Sequence, residues 1–268
     1  MILKNKVILI TGSTTGIGAA VARRCVSQGA KVMLHGRDEA RIKKMCEELN
    51  GAAHYVIASL EDFSSCKKIV NATLETFGSI HGLVNNAAIY PRNNIDSANV
   101  ELFDRIFNIN VKAPLFLSQE VTNIFRKQTT GGSIVNIGSI NAYCGQTDLL
   151  CYSMSKGALM TMTRNLSDSL GAEKIRVNQL NVGWTPTENE VALKQQEGLP
   201  SDWEKRIPRV YAPIGRLQTP DNVAAHVTFW LSDDSIPTSG AVYEVEQYPV
   251  IGRNRLNDLK MSNDGDTQ

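Results

Sequence analysis

Tyr152 and Lys156 stand four residues apart, the spacing that puts two side chains on one helix face. An ammonium beside a phenol favours the phenolate, so this pair can make a proton donor and acceptor from a group that normally titrates near pH ~10. At about 4 Å and an effective dielectric of about 20, unit charges interact by about 4 kcal/mol, which caps the expected lowering at about three pKa units. Thirteen residues before Tyr152, Ser139 closes the apolar run Ser133-Ile134-Val135-Asn136-Ile137-Gly138 and so puts a hydroxyl at a strand end. Leu159, Leu166 and Leu170 share the broad face of Tyr152 and Lys156, so that face is expected to pack towards a sheet. Cys151 adjoins Tyr152 but has no histidine near it in sequence, and it reads as a packing thiol rather than a nucleophile.

A second pattern lies near the start: Thr11-Gly12-Ser13-Thr14-Thr15-Gly16-Ile17-Gly18 follows an apolar run and precedes a helical stretch beginning at about Ile17. Glycines let the backbone turn sharply and approach a pyrophosphate, whose charge the amides and dipole of a helix start can hold. The spacing is GxxxGxG, neither GxGxxG nor a P-loop, and its position after the first strand of a βαβ unit is what gives it weight.

Short apolar runs at 7–11, 31–35, 53–57, 82–85, 133–137, 175–180 and 241–245 alternate with windows long enough for helices. That rhythm predicts an α/β fold with a doubly wound parallel sheet, of Rossmann type, in one domain over 1–252. Residues 185–213, rich in proline and charge and containing Trp203 and Tyr211, break the rhythm and read as a substrate lid. The polar stretch 253–268 reads as a tail. The chain has 268 residues, a net charge of +1 and 42% hydrophobic residues, which supports a substantial core and no electrostatic footprint for nucleic acid or an anionic membrane. The run 7–10 is too short for a membrane span or signal core. Five cysteines without metal-type spacing read as reduced thiols, so a cytoplasmic protein is expected, with no metal.

Taken together these motifs resemble the short-chain dehydrogenase/reductase family in its compact single-domain form, over roughly residues 3–250. The resemblance is carried by Thr11–Gly18, Asn85-Asn86-Ala87-Ala88, Asn110, Ser139 and Tyr152–Lys156 in that order. It implies hydride transfer between a nicotinamide and an alcohol or ketone carbon, with Tyr152 as the acid or base, Lys156 lowering its pKa and holding ribose hydroxyls, and Ser139 binding the substrate oxygen. Asn110 would bind a water that extends the proton relay. Pro114 has no N–H, so a helix through this segment leaves the Asn110 carbonyl without its i+4 donor, a vacancy that fits this use. Cofactor contacts are expected from Gly12, Ser13, Thr14, Thr15, Gly16, Ile17, Gly18, Arg37, Ser59, Leu60, Asn86, Ala87, Ala88, Tyr152, Lys156, Gly183, Thr185 and Thr187, the last matching the family threonine at the carboxamide.

In the family an acid that selects NAD falls about eighteen residues after the last turn glycine, which is Gly36 here, followed by Arg37; Asp38 should point away. An arginine can pair with a 2′-phosphate, so NADP is favoured and NAD is the alternative. The chain departs from the family with Ala88 for glycine, Ser59 for an adenine-contacting aspartate, Asn181-Val182-Gly183-Trp184 for a proline-containing turn, and Val245-Glu246-Gln247-Tyr248 for VDGG. The bulkier residues after Val245 are expected to alter a subunit contact or close the pocket.

Tyr90, Asn141, Tyr143 and Trp184 follow strand ends and, with Ser139, Tyr152 and the charged lid, suggest a small polar substrate that stacks on rings such as that of Trp184, for example a sugar, sugar acid or polyol. The alternatives are a 3-oxoacyl thioester reductase, a sugar-nucleotide epimerase or dehydratase, and a non-catalytic cofactor-binding regulator. The resemblance further implies a homo-oligomer, tetramer or dimer, built on long helices such as the one carrying Tyr152.

Overall fold

A computed structural model describes residues 1–250; the tail anticipated at 253–268 lies outside the described residues. Among the described residues seven strands form one parallel sheet in the order β3-β2-β1-β4-β5-β6-β7: β1 Val7–Ile10, β2 Lys31–Gly36, β3 Ala53–Ile57, β4 Gly82–Asn85, β5 Gly132–Ser139, β6 Ile175–Val182 and β7 Val242–Val245. Each anticipated run contributes one strand, and the arrangement is the doubly wound Rossmann type. The chain reverses direction across the sheet between β1 and β4, which opens a crevice at the carboxyl ends of those strands.

Central strands of a parallel sheet are covered on both faces, so they read as unbroken apolar runs. In β1, Val-Ile-Leu-Ile, all four residues are buried. Ile8 and Ile10 enter a core on one face that also holds Val21 of α1 (Gly16–Ser27), Ile42 of α2 (Glu39–Glu48) and Val227. Leu9 points the other way, into a core with Ile69 of α3 (Ser64–Phe77) and Leu117 and Leu170 from the helices described next.

After β4 come α4 (Val100–Phe107), one turn of π-helix at Asn108–Lys112, α5 (Ala113–Gln128), a single turn α6 (Asn141–Cys144) and the long α7 (Leu150–Leu170). After β6 come α8 (Glu188–Gln196) and α9 (Pro220–Leu231), the latter opened by a reciprocal Thr219–Asn222 capping box and packed beside α1. As expected from their spacing, Leu159 and Leu170 of α7 are buried and Leu166 packs against the same core. The segment 185–213 folds as α8 and a short 3₁₀ turn around a small cluster of Trp203, Ala212 and Leu217, separate from the two sheet cores.

Candidate active site

A cleft of about 810 Å³ opens along the carboxyl ends of the strands. At one end it is walled by the glycine turn. Gly12 and Gly16 adopt φ of +61° and +53°, which L side chains rarely take, and a Cβ at Gly16 would lie 3.0 Å from the Thr187 side chain. A Cβ at Gly18 would collide with the Gly12 carbonyl oxygen, so this glycine serves the tightness of the turn and does not line the cleft. The amide end of α1 has neither a side-chain cap nor an acidic residue in its first turn, and it faces the cleft between Thr15 and Ile17. Unpaired amides at a helix start that open on a cradle only glycine could form are suited to a pyrophosphate.

Residues behind this turn hold it in place, and of these Asn86 and Ala87 also line the cleft. The Asn86 side-chain amide donates to the carbonyls of Thr11 and Gly12, both at 2.9 Å, and the Thr11 hydroxyl accepts the amides of Asn86 and Ala87 at 3.0 and 3.1 Å. Ser13, expected at the cofactor, is fully buried; its hydroxyl accepts the His35 amide at 2.9 Å, so it ties the turn to β2. Thr14, Thr15, Arg37, Ser59, Leu60, Ala87, Ala88, Gly183, Thr185 and Thr187 all line the cleft. The Ser59 hydroxyl accepts the Glu61 amide at 3.3 Å, and the Thr187 hydroxyl caps α8 by accepting the Glu190 amide at 3.2 Å. Asp38 does point away: it caps α2 through the Arg41 amide and pairs with the Arg41 side chain at 3.2 Å.

Ser139, Tyr152 and Lys156 meet midway along the cleft. Ser139 is the last residue of β5, and its oxygen accepts the Asn141 amide at 3.2 Å, which leaves its proton to donate. Tyr152 projects from the first turn of α7, half-buried with its surface open to the cleft. That helix start is fixed by Asn93, whose side-chain oxygen accepts the Cys151 amide at 3.0 Å and whose carbonyl accepts the Leu150 amide at 3.1 Å. The Lys156 ammonium is buried, donates to the Ile137 carbonyl at 2.7 Å and stands 5.6 Å from the centroid of the Tyr152 ring.

The electrostatics correct one expectation. Burial pushes the Tyr152 phenol up to about 12, opposed by a hydrogen bond with Ser139, while burial pushes Lys156 down to about 8. The protein by itself therefore does not bring the phenol towards neutrality, because the ammonium that was to do so is itself desolvated and directed at a strand carbonyl.

Asn110 lies behind this set, buried within the π-helical turn. Pro114 removes the donor that an α-helix would offer the Asn110 carbonyl, and the chain widens to i+5 bonding, with the Ala113 amide donating to the Asn108 carbonyl. The Asn110 side chain makes two hydrogen bonds to the Ile89 backbone, accepting its amide and donating to its carbonyl at 2.9 Å each, and donates to the Ser155 hydroxyl at 3.0 Å. It joins α7 to the loop after β4, and it does not line the cleft.

Tyr90, Asn141 and Trp184 line the far end, and Tyr90 meets Tyr152 edge-on with centroids 5.9 Å apart. Tyr143, which was expected beside them, does not line the cleft. Trp184 stacks on Trp203 at 4.9 Å, and the Lys194 ammonium stands 5.9 Å from its ring centroid; its indole N–H donates to Glu190 at 3.0 Å. The expectation that Trp184 offers a stacking face to the substrate is corrected to this extent: the ring is already packed into the lid.

Three positions escaped the sequence. His35 lines the cleft and is buried; its Nδ1 accepts the Gly12 amide at 3.3 Å, so Nε2 carries the proton and donates to the Ala58 carbonyl at 3.2 Å. Burial pushes this imidazole down to about 4, which keeps it neutral and in that tautomer. A single histidine ending an apolar strand carries no sequence signal for that bridge. Asn93 could have been suspected only from its loop position. Arg92 lines the cleft too and pairs with Glu197 at 2.8 Å and Asp148 at 3.4 Å, joining the loop after β4 to the end of α8.

The profile of the short chain dehydrogenase family matches residues 6–198. The chain is 33% identical over 250 residues to galactitol 2-dehydrogenase of Agrobacterium fabrum, covering 92% of this chain and 98% of that protein. It is 34% identical over 251 residues to L-rhamnose 1-dehydrogenase (NAD(P)(+)) of Azotobacter vinelandii, covering 90% and 95%. Among solved structures it superposes on 3-ketoacyl-(acyl-carrier-protein) reductase of Brucella melitensis complexed with NADH, with a TM-score of 0.83, 29% identity and coverage of 91% and 98%.

Proposed function

The chain belongs to the short-chain dehydrogenase/reductase family and is an NAD(P)-dependent oxidoreductase acting on CH–OH groups; on that premise we propose that it interconverts a sugar, sugar acid or polyol with its keto form, using NADP. The observation that carries the substrate reading is the far end of the cleft, where Arg92, Asn141, Gln146, Asn189, Glu190 and Lys194 present hydrogen-bonding and charged groups rather than an apolar wall. Arg92, Glu190 and Lys194 already have partners within the protein, but a steroid or acyl chain would desolvate the amides of Asn141, Gln146 and Asn189 without pairing them, whereas a hydroxyl-rich molecule can bond them.

When bound, a nicotinamide supplies the hydride acceptor or donor and, in its oxidised form, a positive charge near the phenol. The glycine turn, the α1 amides, Thr185 and Thr187 would hold it. Oxidation leaves the substrate oxygen with a proton to lose: the Ser139 hydroxyl orients that oxygen and Tyr152 takes the proton. In reduction the phenol, pushed up to about 12 and so protonated at neutral pH, gives it back. Lys156 and Asn110 keep Tyr152 and α7 in register through Ile137, Ile89 and Ser155.

NADP is supported by Arg37, which is exposed at the adenosine end, and by Asp38 being engaged elsewhere. Glu61 lies 3.9 Å from Arg37 but is also held by Arg105 at 3.1 Å, so its charge is shared. Titrating NADPH and NADH on one preparation tests this; tighter NADH would overturn it. Galactitol, L-rhamnose, L-xylulose, a hydroxysteroid and a 3-oxoacyl thioester assayed with both cofactors test the substrate reading, and turnover only on the steroid or thioester would overturn that. A dimer or tetramer in a cytoplasmic setting completes the proposal. Met154 on α7 is exposed and available for such an interface, and light scattering reads the assembly directly. Among the described residues, no helix is long and apolar enough to cross a membrane.

A further inference from the structure

Two departures from the family pattern, at residues 181–184 and 245–248, are far apart in the chain yet adjacent in space. β6 and β7 pair in register as far as Val182 and Val245, and the Gly183 amide donates to the Val245 carbonyl at 3.0 Å. Immediately beyond, the Glu246 carboxylate accepts the Trp184 amide at 3.2 Å and lies so close over Gly183 that a Cβ there would strike it. The same carboxylate accepts the Gln247 amide through its second oxygen at 2.7 Å. Gln247 then reaches the other end of the lid: its side-chain oxygen accepts the Ile214 amide at 3.2 Å and its NH₂ donates to the Arg216 carbonyl at 2.7 Å. The lid leaves the fold at Trp184 and returns at about Ile214 to Arg216, so two consecutive side chains hold both of its ends.

We propose that Glu246 and Gln247 are positioning residues that clamp the two hinges of the lid and so set the shape of the substrate end of the cleft. The family's VDGG would place an aspartate, one methylene shorter, at 246 and a glycine, with no side chain to bond, at 247, and the Trp184 amide in the turn after β6 needs a partner. Glu246 supplies that partner. A carboxylate bonded to backbone amides is a charge-assisted contact and holds more strongly than a neutral pair. Gln247 is suited to the second hinge because one side chain offers both an acceptor and a donor, and that hinge presents one of each. The next residue, Tyr248, lines the cleft, as does the lid residue Tyr211, so the clamp also delivers a ring to the pocket wall. This role rests on the oxidoreductase reading only in that the lid covers the cleft of that enzyme.

The test needs no substrate. Amide hydrogen exchange is followed on the full chain in peptides covering 184–217, beside peptides from β1 and β5, for wild type, Glu246→Ala, Glu246→Gln and Gln247→Ala. Loss of one such bond is expected to speed exchange about tenfold in the lid for both alanine variants while the strand peptides and the melting midpoint hold. Glu246→Gln keeps an acceptor for the Trp184 amide and should return to near wild-type exchange. Unchanged lid exchange in both alanine variants would overturn the clamp. So would exchange rising equally in the strands, in Gln247→Ala if Glu246→Ala fails to fold. Lid exchange that behaves as expected in an enzyme that turns over none of the sugars or polyols would leave the clamp standing and count against the substrate reading alone.

Discussion

The two ends of the cleft are held by different means. At the cofactor end the walls are backbone: a turn between β1 and α1, the amide end of α1 and the ends of β2 and β4, all resting on cores in which Ile8, Leu9 and Ile10 are fully buried. At the substrate end the walls are side chains on a lid whose own core is Trp203, Ala212 and Leu217, fastened to the fold by Arg92–Glu197, Trp184–Glu190, Glu246 and Gln247. A wall made from strand ends can shift only if the sheet shifts. A wall made from a few side-chain bonds can be re-cut by single substitutions. One fold can therefore keep its cofactor and change its substrate.

Tyr152 stands where the two ends meet, and its loss should break function without disturbing either. Tyr152→Phe is expected to cut turnover by about 10²–10⁴-fold with cofactor affinity unchanged, read by steady-state rates beside a cofactor titration. Near wild-type turnover would remove Tyr152 from the chemistry.

Next in size is Lys156, on the rigid side. Its folded pKa of about 8 lies below the ordinary 10.5, so between those pH values the unfolded chain holds the extra proton and folding stability rises with pH. The rise amounts to about 3 kcal/mol over the window. Lys156→Met should abolish this component, seen as a smaller change in urea midpoint between about pH 7.5 and 10 than in wild type. An identical pH response in the two proteins would show that the burial of Lys156 carries no such charge.

Gly18→Ala attacks the backbone wall itself. The added Cβ meets the Gly12 carbonyl and the Asn86 amide, so the variant should lose about 1–3 kcal/mol of stability and bind cofactor poorly. Wild-type melting and binding would mean that the turn yields more than its packing suggests.

Glu197→Gln attacks the side-chain wall, and the expected effect is the smallest. The Arg92 and Lys194 pairs with Glu197 are partly exposed, so less than about 1 kcal/mol is at stake, and added salt should mimic the substitution. The signature should be a change in substrate KM with the melting midpoint unmoved. A drop in stability as large as that of Gly18→Ala would erase the distinction between the two ends.

Much of this was legible in the chain. All seven strands declare themselves as apolar runs because a parallel sheet buries both faces, and the GxxxGxG turn declares itself because only glycine fits its conformations. Tyr152 and Lys156 were legible through helix periodicity, since i and i+4 share a face whatever surrounds them. Other features were not. The polarity of Trp184 and its neighbours suggested a stacking platform, but Trp203, nineteen residues on, takes that ring into the lid. His35 reads as core, and its bridge from Gly12 to Ala58 exists only once three strand ends converge. The direction of the Tyr152 shift was also hidden: residue types gave the ammonium, while burial and the Ile137 carbonyl decided where its charge acts.

The sequence by itself determined the local matters: which segments become strands, where the backbone must turn through positive φ, and which helix face carries a phenol and an amine. These depend on residues within a few positions of one another. Only the tertiary structure decided that Asn93 starts α7, that Asn110 joins that helix to the loop after β4, and that Glu246 and Gln247 reach both ends of the lid. The reason is physical: each is a hydrogen bond between groups tens of residues apart, whose partner is set by how the strands order and the layers pack.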